Sequence, residues 1–189
     1  AVMRIEPLAR AAGVTVKWRP FLLGPVFLSL GWNDSPFNIY PPKGRYMWRD
    51  LARLAARYEL PFKVPSRFPR NGLLAARVAL AGADEAWIGD FARAAMRANF
   101  AEDRDIADPA VIRAILADLG LPADALLEQA ASADTKLALR RQTERASELG
   151  LFGAPSFITP DGELFWGNDR LEDALDWMKG ARLPPARSA

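Results

Sequence analysis

The sequence predicts an α/β domain interrupted by a large all-helical insertion. Two observations carry this. A strand-like run near the start, Val14-Thr15-Val16-Lys17-Trp18-Arg19, and a hairpin pattern with a helix after it near the end frame a block from 45 to 149 that has helical periodicity almost throughout. The implied division is residues 1–44 with 150–189 for the α/β domain and 45–149 for the insertion.

Taken in order, Val2 to Ala12 has the character of a helix body without a starting cap, and Gly13 ends it. Residues Gly24 to Lys43 are rich in proline, glycine and asparagine and read as a long loop. Its aromatics Phe27, Trp32, Phe37 and Tyr40 look exposed and argue against disorder. Helices follow over Arg45 to Tyr58, Gly72 to Leu80, Ala83 to Phe100, Ala110 to Leu119, Pro122 to Ala130 and Ala133 to Leu149. Asp108-Pro109 reads as an N-cap followed by proline at the first helical position, and Asn71 as a further cap. Phe157 to Thr159 and Glu163 to Trp166 form a predicted hairpin, and Asn168 or Asp169 caps a last helix reaching Met178.

Composition limits the chemistry. The 189 residues are half hydrophobic and a quarter charged, enough for a substantial core, and 25 basic against 23 acidic residues leave a net charge of +2. The arginines are spread along helices, so there is no electrostatic footprint for nucleic acid. Cysteine and histidine are both absent. This removes disulfides, protein thiolate nucleophiles, Cys or His metal sites and His-based triads. Any thiol chemistry therefore needs a thiol brought by a bound molecule. No apolar run approaches the roughly 20 residues that span a bilayer, and the first residues do not form a signal peptide. A cytoplasmic protein is the expectation.

The densest local information lies near the end, where Gly150-Leu151-Phe152-Gly153-Ala154-Pro155-Ser156-Phe157 leads through Asp161-Gly162 into Phe165-Trp166-Gly167-Asn168-Asp169-Arg170. Gly150 suits a helix end, because it takes the left-handed conformation without a Cβ clash. Pro155 lacks an amide hydrogen and suits a bend at the start of a strand. With Ala154-Pro155 cis, the Ala154 N–H and C=O would face outward, able to hold an extended peptide. A helix, a Gly-x-Pro loop, a hairpin and a terminal helix make up the second half of a thioredoxin-type fold. The plainer reading is a hairpin with a capped helix after it.

Five segments, in order, carry a resemblance: Arg19-Pro20-Phe21-Leu22-Leu23-Gly24-Pro25-Val26-Phe27, Pro42-Lys43-Gly44-Arg45-Tyr46-Met47-Trp48-Arg49-Asp50, Asp105-Ile106-Ala107-Asp108-Pro109, Gly153-Ala154-Pro155 and Phe165-Trp166-Gly167-Asn168-Asp169-Arg170. Together they resemble the 2-hydroxychromene-2-carboxylate isomerases, related to kappa-class glutathione transferases and other DsbA-like thioredoxin-fold proteins. The resemblance covers essentially the whole chain. It implies glutathione as cofactor and a small aromatic carboxylate as substrate, interconverted between 2-hydroxychromene-2-carboxylate and trans-o-hydroxybenzylidenepyruvate in naphthalene breakdown. By resemblance, Ala154 and Pro155 hold the tripeptide and Asn168 and Asp169 its γ-glutamyl end. Asn33 lies at the thiol or substrate, Lys43 and Arg45 offset carboxylates, and Trp32, Phe37 and Tyr40 pack on an aromatic ring. Related proteins are often dimers, which implies a homodimer.

The chain departs from the family at its start. The family begins with a strand and a Ser-Pro-x-x-Tyr-Leu segment whose serine, at a helix N-terminus, hydrogen-bonds the glutathione sulfur; a helix N-terminus with a hydroxyl stabilises a thiolate. Here Val2 to Ala9 matches the helix body, so the expectation is that the first strand and this serine lie upstream of Ala1. Ser35-Pro36, in the long loop, is no substitute. The alternatives are a kappa-like glutathione transferase or isomerase with another aromatic substrate, and a non-catalytic glutathione-binding scaffold.

Overall fold

The computed structural model describes residues 1–181, and these divide into two compact units, one of residues 1–17 with 153 onward and one of residues 18–152. Residues 18–44, which the sequence reading groups with the α/β domain, lie in the compact unit of the helices, and there the Leu22 N–H donates to Thr143 Oγ1 at 3.2 Å.

In the first unit, α1 (Ile5–Ala11) ends where the Gly13 N–H donates to Arg10 and the Val14 N–H to Ala9 at 2.8 Å, with Gly13 at φ +68°. This satisfies the last helix carbonyls and turns the chain back. Residues Val14 to Lys17 then run extended with perfect alternation of burial, Val14 and Val16 packing onto buried Ala9, Leu171 and Leu175. They do not form the predicted strand, for a strand needs a hydrogen-bonded neighbour and none lies beside them among the described residues. Two short antiparallel strands, β1 (Ser156–Ile158) and β2 (Leu164–Trp166), pair Ser156 with Trp166, Phe157 with Phe165 and Ile158 with Leu164. A 3-10 turn (Asn168–Arg170) leads into α10 (Leu171–Met178), whose Leu171 and Leu175, one helical turn apart, enter the core.

The second unit is all helical: α2 (Leu23–Ser29), α3 (Pro36–Ile39), α4 (Pro41–Arg57), α5 (Leu73–Ala81), α6 (Ile88–Phe100), α7 (Pro109–Asp118), α8 (Ala123–Ala131) and α9 (Ala133–Glu148). Its core gathers Val78, Phe91, Ala98, Ile112, Ile115, Leu116, Leu126 and Ala130 from α5 to α8, with Trp87 edge-on to Phe91 at 6.1 Å. The predicted loop from Gly24 to Lys43 is largely helix. Its prolines sit at helix starts, where their missing N–H costs nothing, and Ser35 Oγ accepts from the Phe37 N–H at 3.3 Å to cap α3. Gly44 explains itself here, because a Cβ at that position would lie 2.2 Å from the Phe37 carbonyl oxygen. Conversely, residues 83–87 turn before α6 begins. Asp108 does cap α7, accepting from the Ala110 N–H at 2.8 Å, and Asn71 accepts from Leu73 at 2.9 Å. Among the described residues no helix is long and apolar enough to cross a membrane.

The loop between α4 and α5 is fastened by one arginine. Arg70, 5% exposed, donates to Asn99 Oδ1, to the Arg104 and Asp103 carbonyls and to the Asp103 carboxylate. Asp103 also accepts from the Ser66 N–H at 2.9 Å and pairs with Lys63 at 3.3 Å. The Ser66 N–H first, then the Arg70 guanidinium, hold its carboxyl well below the usual carboxylate range.

Candidate functional site

In α9, the Gly150 N–H donates to Ser147 and the Leu151 N–H to Ala146, both at 3.0 Å, with Gly150 at φ +77°. The chain then enters the first unit at Gly153. That glycine is buried under the Trp166 indole: an added Cβ would lie 2.4 Å from Trp166 Nε1. Ser156 Oγ donates to the Gly153 carbonyl at 2.8 Å, and the Gly167 N–H donates to the Pro155 carbonyl at 3.0 Å. So Gly153 and Pro155 are each held by name.

Ala154, between them, is exposed and joined to Pro155 by a cis peptide bond. Neither its N–H nor its C=O has a hydrogen-bond partner among the described residues. This is one exposed donor and one exposed acceptor at the head of a strand, the pairing groups an extended peptide uses.

Across the hairpin, Asn168 and Asp169 open the 3-10 turn. Neither caps it with a side chain, contrary to the sequence expectation, because each carboxamide or carboxylate is directed elsewhere. Asn168 Oδ1 accepts from Arg4 Nη1 at 3.2 Å, and Arg4 also pairs with Glu172. With its oxygen so engaged, the Asn168 NH2 is the end left to donate. Asp169 is 76% exposed, and Arg170 approaches it only to 3.7 Å while bonding Asp173 at 2.8 Å. That bond to Asp173, more than the charge of Asp169, raises the Arg170 guanidinium above its ordinary value. The Asp169 carboxylate is thus weakly committed. Gly167, at φ +111°, stays a glycine twice over, since a Cβ would also lie 2.4 Å from Asp169 Oδ1.

Asn33 and Lys43 belong to the second unit. Asn33 is exposed between α2 and α3, with no hydrogen bond among the described residues. Lys43 is exposed in the first turn of α4, its Nζ 5.9 Å from the centre of the Phe37 ring. Arg45 is exposed on the same helix. Of the aromatics, Trp32 packs on Phe27 at 5.7 Å and Tyr40 is half exposed. The structure therefore gathers Ala154, Pro155, Asn168 and Asp169 on one hairpin. Arg4 was missed by the sequence reading. It lies 164 residues from Asn168, and nothing local in the sequence announces that contact.

The family model of the DSBA-like thioredoxin domain matches residues 1–179. The chain is 34% identical, over 91% of its length and 87% of the relative's, to 2-hydroxychromene-2-carboxylate isomerase of Sphingobium xenophagum. It is 28% identical to human glutathione S-transferase kappa 1, over 93% and 84% of the two chains. A solved structure of a 2-hydroxychromene-2-carboxylate isomerase superposes with a TM-score of 0.80 at 25% identity, covering 94% of this chain and 86% of that one. The chain belongs to the DsbA-like thioredoxin-fold family, in the group of 2-hydroxychromene-2-carboxylate isomerases to which kappa-class glutathione transferases are related.

Proposed function

We propose that this protein is a glutathione-dependent isomerase interconverting 2-hydroxychromene-2-carboxylate and trans-o-hydroxybenzylidenepyruvate in aromatic catabolism. The observation that carries the reading is the open backbone of Ala154 in a chain similar to an enzyme named for that isomerase activity.

The residues present fit glutathione. The Ala154 N–H and C=O offer strand-type pairing to an extended tripeptide, and Pro155, fixed through its carbonyl by Gly167, keeps that edge in place. Asp169 suits the ammonium of the γ-glutamyl end and the Asn168 NH2 suits its carboxylate, with Arg4 orienting the amide. When bound, glutathione supplies the nucleophilic thiol that a chain without cysteine lacks, for reversible addition to the conjugated double bond of the substrate. By resemblance, the thiol is activated in the family by a serine at a helix N-terminus. Asn33 is assigned to the thiol or substrate. Lys43 and Arg45 neutralise carboxylates and Trp32, Phe37 and Tyr40 meet an aromatic ring. The same reading makes the protein cytoplasmic and homodimeric.

A second reading, a kappa-like transferase or isomerase on another aromatic substrate, is favoured by the kappa-class relatives. The absorbance of 2-hydroxychromene-2-carboxylate, followed with and without glutathione, separates them. Turnover that requires glutathione supports the proposal, and equal turnover without it refutes the cofactor. Glutathione binding without turnover moves the assignment to a transferase or to a non-catalytic scaffold.

A further inference from the structure

The helical unit has a cavity of about 360 Å³ between the entry to α2, α5 and α9. That is within the range of about 300–1,000 Å³ typical of small-molecule sites. Its walls are apolar, from Leu22 ahead of α2, Leu73 on α5 and fully buried Leu139 on α9. Lys136, Leu139, Arg140, Thr143 and Glu144 line it as one stripe of α9, at the spacing that puts residues on a single helix face.

The polar groups here are unevenly matched. Arg140 is neutralised by Glu144 at 2.9 Å, and Thr143 accepts from the Leu22 N–H and donates to the Leu139 carbonyl. The side chains of Arg77 and Lys136 have no ion pair or hydrogen bond among the described residues, and the Arg77 Nε is buried with no acceptor. A buried guanidinium N–H without a partner is costly, and the Arg70 cluster of the same unit shows the ordinary outcome, with acceptors on every side. An apolar chamber edged by two cations that no carboxylate among the described residues meets, one of them with a buried N–H lacking an acceptor, complements an apolar body carrying one negative charge.

We propose that this cavity is a binding site for an apolar monoanion, an aromatic carboxylate or sulfonate, whose charge meets Arg77 and Lys136 and whose ring lies among Leu22, Leu73 and Leu139. The site lies within the second unit and does not depend on the role given to the Ala154 loop.

The test is titration of the 15N-labelled protein with 1-naphthoate, and with the neutral 1-naphthalenemethanol, read amide by amide so that binding at Ala154 is separated from binding here. The proposal expects saturable shifts at Leu22, Leu73, Arg77 and Leu139 with naphthoate, and much smaller ones with the alcohol. Lys136→Gln, at an exposed position, should weaken binding about three- to fivefold, as for an exposed ion pair. Arg77→Gln should weaken it about tenfold or more, as for a charge-assisted hydrogen bond. Absence of shifts at these amides, equal response to the neutral alcohol, or unchanged affinity in Lys136→Gln overturns it and leaves a hydrated cleft.

Discussion

Two loops of this molecule each carry a cis X-Pro bond, at Phe68-Pro69 and at Ala154-Pro155, and they differ in what they do with their polar groups. The first consumes them. Phe68 packs edge-on against Trp48 at 4.8 Å, and Arg70, two residues on, binds Asn99, Asp103 and Arg104. The second fixes Gly153 and Pro155 but leaves the exposed Ala154 N–H and C=O without a partner among the described residues. Buried backbone groups are almost always paired, so a loop held rigid on both sides of an open pair differs from a loop held throughout. The one fastens the helical unit; the other presents an exposed donor and acceptor.

Substitutions sharpen that contrast, the largest effect falling on the closed loop. Arg70→Met should lower stability by about 2–3 kcal/mol, because Asn99 Oδ1 and the Asp103 and Arg104 carbonyls lose their donor together. A melt within a degree or two of the parent would break the distinction. Gly153→Ala drives a methyl into the Trp166 indole and should cost about 1–3 kcal/mol, as overpacking does. It should also change tryptophan fluorescence and weaken glutathione binding, and unaltered emission and affinity would contradict the geometry. Asp169→Ala should leave melting unchanged but weaken glutathione about tenfold, near the low end for a charge-assisted hydrogen bond because the carboxylate is exposed. Calorimetric titration reads this directly.

Acid adds a subtler test of the closed loop. The Asp103 carboxyl titrates lower folded than unfolded, so the unfolded chain binds the extra proton, and the stabilisation is present above the unfolded value of about 4 and lost as the pH falls below it. Urea midpoints measured between pH 6 and pH 3 should fall less steeply in Asp103→Asn than in the parent. The smallest change is expected away from both loops, where Asp108→Ala removes the α7 cap at a cost of about 1 kcal/mol.

What the sequence disclosed was local. Asp108-Pro109 declares a helix start by itself, and Val14 and Val16 face the core as their alternation requires. Their ladder did not form, because pairing depends on a neighbour that alternation cannot supply. The stretch from Gly24 to Lys43 was misread for a related reason: Pro36, Pro41 and Pro42 break a helix in its interior but start one at its first turn, and only the packing of Phe37 on Gly44 shows which applies. Likewise Asn168 and Asp169 were legible as a helix start but not as residues that leave the turn uncapped, for Arg4, far away in sequence, takes the Asn168 oxygen. Arg70 and Arg77 look alike in sequence. Their different surroundings come wholly from tertiary packing.

The central claim is that the open edge at Ala154 is where a peptide ligand pairs, and titration of glutathione into 15N-labelled protein tests it most directly. The account predicts that the Ala154 amide moves together with Asn168 and Asp169, with one dissociation constant, while the Arg70 cluster stays still. Saturable glutathione binding that leaves Ala154 unmoved would contradict it.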